Sequence, residues 1–129
     1  MSKKKIMVVD DEPDLILTVK VVLEDLGDEY EVIGADSGMR CLELLQNNQI
    51  PDLILLDIMM PKMNGRETFE RLKENPLWKN IPVVFLTAHT NCMVKDSRSF
   101  LGENYINKPF DGADFKRRID KILKNTIKK

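Results

Sequence analysis

Leu53-Ile54-Leu55-Leu56-Asp57-Ile58-Met59-Met60-Pro61-Lys62-Met63-Asn64-Gly65 is the stretch that decides the fold. Its first four residues are an unbroken apolar run, which suits a central parallel strand covered by helices on both faces rather than a strand with one wet face. A carboxylate stands directly at its exit. Similar runs occur at about 5–9, 31–34, 83–86 and 105–106, and the segments between them carry helical periodicity. Such βα alternation, five times over, predicts an α/β fold built on a parallel sheet, with the second and fifth strands as weaker edges.

The intervening segments supply helix signals. Ile16, Val19, Leu23 and Leu26 mark one face of a first helix, with Pro13 near its first position and Gly27 after its end. Ser37 caps a second helix carrying Leu42 and Leu45. Asn64 with Glu67 reads as a capping box for a third, which carries Phe69 and Leu72 and must stop by Pro76. A polar, poorly patterned segment over about 91–101 is assigned a fourth helix, anchored by Met93, Phe100 and Leu101. Asp111 and Asp114 open the last one, on which Phe115, Ile119 and Ile122 share a face.

The 129 residues suit one domain, 1–129, with no fused output or catalytic domain. Twenty basic against 21 acidic residues leave a net charge of −1, so no bulk field draws the chain to nucleic acid or a membrane. No apolar segment is long enough to span a bilayer, and Met1-Ser2-Lys3-Lys4-Lys5 leads into a strand rather than a signal-peptide core, which predicts a cytoplasmic protein. Cys41 and Cys92 have neither metal-ligand spacing nor a disulfide framework and read as reduced thiols without a role.

Chemistry recurs at strand exits. Asp10 and Asp11 end the first run, Asp57 the third, Thr87 the fourth, and Lys108 follows the fifth. Ligands of open α/β sheets bind outside the carboxyl ends of the strands, so these five side chains are expected around one shallow pocket. Three carboxylates side by side do not stay ionised without cations, which Lys108 and a divalent ion would supply. Hard oxygen ligands suit Mg²⁺ and leave positions for phosphate oxygens. The expected chemistry is phosphoryl transfer, with Asp57 as nucleophile and Thr87 and Lys108 on the equatorial oxygens.

Each residue also has a plainer reading. Taken alone, Asp10 or Asp11 is a helix cap, Thr87 a strand-end cap, Lys108 a solvated lysine and Pro109 a turn residue. Only their joint placement points to chemistry. His89 reads as an exposed loop residue, and Met59 and Met60 as loop packing.

At these residues the chain resembles the receiver domain of two-component response regulators, in particular the stand-alone, single-domain kind. The resemblance is carried by Asp10-Asp11-Glu12-Pro13, the phrase around Asp57 with Pro61 and Gly65, Leu86-Thr87-Ala88, and Tyr105-Ile106-Asn107-Lys108-Pro109-Phe110, in order and in spacing. It implies a doubly wound, flavodoxin-like sheet of five strands in the order 2-1-3-4-5 with five helices. It also implies Asp57 as phosphoacceptor, a Mg²⁺ site of Asp10, Asp11, Asp57 and the backbone carbonyl of Met59, and Thr87 and Lys108 as phosphoryl contacts. Thr87 and Tyr105, read as standing at the exits of the last two strands, would form a switch, and Lys108-Pro109 matches a peptide bond that is cis in this family. The implied partners are a sensor histidine kinase or phosphotransfer protein, and an output protein or second copy bound through the fourth helix, fifth strand and fifth helix. No direct binding of nucleic acid or membrane is implied, and the chain is a phosphorylation-controlled switch rather than an enzyme, with at most self-catalysed phosphotransfer and slow autodephosphorylation. Two departures stand out: the stretch from Thr87 to Lys108 is about one residue short, and the segment 91–101 lacks the usual alanines.

Three other classes compete. A phosphatase of the haloacid-dehalogenase type needs a second aspartate two positions after the nucleophile, where this chain has Met59. A receiver fold serving only as a constitutive interaction module would not need all five residues. In a flavodoxin-like cofactor binder, the acids at the first strand exit would repel a phosphate unless a metal intervenes.

Overall fold

A computed structural model describes residues 4–25, 30–58, 60, 63–87, 105–107 and 112–127. Five parallel strands, β1 (Lys4–Val9), β2 (Tyr30–Ala35), β3 (Leu53–Asp57), β4 (Val83–Thr87) and β5 (Tyr105–Asn107), form one sheet in the order β2-β1-β3-β4-β5. Four helices are described: α1 (Pro13–Asp25), α2 (Gly38–Gln46), α3 (Gly65–Glu74) and α4 (Gly112–Ile127). The helix expected over 91–101 lies outside the described residues, as do Cys92 and His89.

Strand alternation splits the core into two layers. Ile6 and Val8 of β1, Leu53 and Leu55 of β3, and Val84 and Leu86 of β4 face α1 and α4, where they meet Val19, Leu23, Phe115, Ile119 and Leu123. Met7, Val9, Ile54, Leu56, Val83 and Phe85 face the other way and meet Cys41, Leu42 and Leu45 of α2 and Leu72 of α3. Every residue of β3 is buried, so its apolar run has no polar alternation because no side of the strand meets water. Burial also pushes the Cys41 thiol up to about 12, which leaves it neutral and unreactive at pH 7.

The helix ends follow local chemistry. Pro13 opens α1, where its missing N–H costs nothing. The Ser37 hydroxyl accepts from Arg40 N at 3.0 Å to start α2. Asn64 and Glu67 form the expected reciprocal box, and α3 ends at Glu74 before Pro76. The edge strand β2 is tied down from two helices. Glu24 of α1 accepts the Val32 N–H at 2.9 Å, while Tyr30 donates its hydroxyl to Asp120 of α4. Lys116 also reaches Asp120, at 3.1 Å, and lies over the Tyr30 ring.

Candidate functional site

Register alone brings two acids together. Val9 pairs with Leu56, so Asp10 and Asp57 come one step later, side by side at the carboxyl end of the two central strands. They continue the rows of Ile6 and Val8, and of Leu53 and Leu55, toward the α1 and α4 layer. Both are almost withdrawn from water, Asp10 at 0% and Asp57 at 4% exposure, whereas Asp11 is exposed. One carboxylate oxygen from each of Asp10, Asp11 and Asp57 lies within 4.8 Å of the others.

Each acid is held by its backbone. Asp10 donates its N–H to Ala35 O at 3.0 Å, and its carboxylate accepts from Glu12 N at 2.9 Å. The turn into α1 is therefore tied by Asp10, although Asp11 is the acid one step nearer the helix. Asp57 closes β3 opposite Leu86, and the following Ile58 donates to Leu86 O at 3.2 Å. Ile58 O then accepts from Gly65 N at 2.9 Å, which closes the loop over 58–65. Gly65 has to be glycine here. A Cβ at that position would lie 2.7 Å from Cα of Ile58 and closer still to the carbonyl oxygen of Asp57. The start of α3 thus rests directly on the backbone that presents the central carboxylate.

The acidic cluster brings three like charges close together. At ~5 Å and an effective dielectric near 20, each ionised pair repels by about 3 kcal/mol. All three donors are hard oxygens, the set that suits Mg²⁺. Oxygens around one octahedral Mg²⁺ lie about 3 Å apart when adjacent and about 4 Å when opposed, so the observed spread requires a small inward adjustment or a bridging water. With that adjustment the residues fit the ion.

Thr87 ends β4 one position beyond Leu86, the residue paired with Asp57, so its backbone is adjacent to the acidic cluster. Tyr105 is not at a strand exit. It opens β5 opposite Phe85, two positions before Asn107, which pairs with Thr87. The sequence reading stopped the strand at residue 106, because Asn107 breaks the apolar run while still taking part in the parallel register. Lys108 and Met59 lie outside the described residues. The structure also singles out a residue that the sequence reading passed over. Thr68 of α3 is fully buried, and with Asp10 and Asp57 it completes the buried polar and charged side chains among the described residues. A lone threonine inside an amphipathic helix gives no pattern by which to find it.

Comparison with known proteins agrees with this geometry. A family model for the response regulator receiver domain matches residues 6–120. Histidine kinase P4 of Formosa agariphila is 35% identical over 98% of this chain, which spans 9% of that protein. The alkaline phosphatase synthesis transcriptional regulatory protein PhoP of Bacillus subtilis is 36% identical over 95% of the chain, which spans 50% of it. The crystal structure of a CheY-like response regulator receiver domain protein from Methanospirillum hungatei superposes with a TM-score of 0.84 at 28% identity, covering 98% of both chains.

Proposed function

The chain belongs to the response regulator receiver family of two-component signalling, and from that premise we propose that it accepts a phosphoryl group on Asp57 from the phosphohistidine of a sensor kinase or phosphotransfer protein. The observation that carries this reading is the meeting of Asp10, Asp11 and Asp57 within 4.8 Å, with Asp57 at the exit of the central strand. A carboxylate oxygen of Asp57 attacks phosphorus in line. The new O–P bond forms as the P–N bond breaks, and the imidazole nitrogen leaves with its electron pair.

Asp10, Asp11, Asp57 and the backbone carbonyl of Met59 are the groups that would hold Mg²⁺. When bound, the ion supplies positive charge that offsets both the clustered carboxylates and the phosphoryl oxygens. The rigid seating of Asp57 on Gly65 keeps its carboxylate aimed during the reaction, so little reorganisation is left to the transition state. Lys108 and Thr87 are assigned to the equatorial phosphoryl oxygens, as an ammonium and a hydroxyl donor. The chain itself acts as an acceptor and switch rather than as a turnover enzyme.

The output we assign is a change of surface. Phosphoryl oxygens on Asp57 draw the Thr87 hydroxyl inward, and Tyr105 follows into the space it leaves, reshaping a face that includes β5 and α4. The partner on that face is an output protein or a second copy, and the setting is the cytoplasm. No helix among the described residues is long and apolar enough to cross a membrane. Mass spectrometry after incubation with a small acyl phosphate and Mg²⁺ tests the chemistry. One added phosphoryl group in the wild type and none in Asp57→Asn is the expected result; equal gain in both would overturn the assignment.

A further inference from the structure

We propose that Thr68 is a positioning residue for the acidic site, acting through the Asn64–Gly65 turn, and that Gly38 of α2 is the surface against which it is set. This rests on the reading of Asp57 as the acceptor. Thr68 lies on the second turn of α3 and is 0% exposed, yet its side chain is polar. Its hydroxyl donates to the carbonyl of Asn64 at 2.9 Å, the same carbonyl that accepts the Thr68 N–H at 3.0 Å.

A threonine bonded four residues back is common in helices and usually changes little beyond a slight bend. Here the acceptor is the helix cap, and the next residue is Gly65. Gly65 donates to Ile58 O at 2.9 Å and its Cα rests on the carbonyl of Asp57. The Thr68 hydroxyl therefore fixes the peptide group that carries the Gly65 N–H, and through it the chain that presents Asp57.

The other side of Thr68 is just as constrained. A Cβ on Gly38 would lie 3.0 Å from the Met63 sulfur and closer still to the Thr68 hydroxyl oxygen, so the first residue of α2 backs both Thr68 and the Met63 side chain. The α2–α3 contact thus confines the hydroxyl to the side where Asn64 O waits.

The test separates position from packing. Thr68→Val keeps volume and loses the hydroxyl; Thr68→Ser keeps the hydroxyl and loses a methyl. Calorimetry with Mg²⁺ alone should show affinity reduced about three- to tenfold in Thr68→Val, the range one neutral hydrogen bond corresponds to, and within about twofold of wild type in Thr68→Ser. Thermal melting should run the other way, with Thr68→Ser the less stable. Gly38→Ala, which crowds the hydroxyl from α2 without touching an acid, should weaken Mg²⁺ binding as Thr68→Val does. Amide exchange at Gly65 should be about three- to tenfold faster in Thr68→Val than in Thr68→Ser, with or without metal. Wild-type affinity and Gly65 exchange in Thr68→Val, or equal losses in the two Thr68 variants, would reduce Thr68 to a packing residue. If the wild type itself bound no Mg²⁺ while the Gly65 exchange pattern held, the acceptor reading would fail and the positioning link would stand.

Discussion

Two aspartates bracket the strand at the centre of the sheet, and their surroundings could hardly differ more. Asp52, at the amino end just before β3, is exposed and accepts the Lys5 N–H at 2.7 Å, while its own N–H donates to Lys5 O at 2.7 Å. Asp57, at the carboxyl end, is buried and shares its space with two further carboxylates. The first charge is spent on a local backbone bond that links β1 to the start of β3. The second faces two further carboxylates, like charges that raise the cost of keeping all three ionised. The same residue type is an exposed backbone tie at one end of β3 and a buried member of an acidic cluster at the other, because parallel strands bring their carboxyl ends, and the loops that follow, to one edge of the sheet.

The largest expected effect breaks the comparison outright. Asp57→Asn keeps shape and loses the anionic nucleophile, so phosphorylation by an acyl phosphate should fall below detection, while Asp52→Asn should react like wild type. Mass spectrometry of the two variants in parallel decides it. Next comes Gly65→Ala, which forces a methyl into the backbone of Asp57 and Ile58. Urea unfolding should show a loss of about 1–3 kcal/mol, the cost of overpacking where the neighbour is main chain rather than a flexible side chain. A variant as stable as wild type would mean that the loop shifts freely and does not aim Asp57.

A third measurement sharpens the charge contrast. Without divalent cation, Asp57→Asn should be more stable than wild type by about 1–3 kcal/mol, since one carboxylate of the cluster is neutralised. Saturating Mg²⁺ should stabilise the wild type and leave the variant little changed. The smallest effect is expected at the other end. Asp52→Asn retains an oxygen acceptor for Lys5 N, so its thermal stability should change by no more than about 1 kcal/mol, with or without Mg²⁺. A Mg²⁺-dependent change there would show that the two ends of β3 are not independent.

The sequence and the structure agree where the information is local. Unalternating runs gave β1, β3 and β4, and the pairs Asn64/Glu67 and Pro13 gave the helix starts, because caps and burial patterns are written within a few residues of where they act. Asp10, Asp11 and Asp57 were legible as a cluster because every parallel strand delivers its exit to the same edge. What failed to show was tertiary or too short. A three-residue strand has no period, so the run beginning at Tyr105 was legible but the end of β5 at Asn107 was not. The Tyr30–Asp120 bond joins residues 90 apart. Thr68 lies against Gly38, thirty positions earlier, and only the packing of α2 on α3 shows that a side chain on the one would collide with the hydroxyl of the other.

The outer strand β2 carries one further consequence. An open sheet ends in a row of unclaimed peptide groups, a template on which another chain can add itself. Here the row is interrupted in its middle, where the Glu24 carboxylate occupies the Val32 N–H. A segment docking on that border would have to displace an anion and leave it desolvated beside a new neighbour. The Glu24 carboxylate thus takes up one backbone donor of this border strand, which makes strand addition at Val32 more costly.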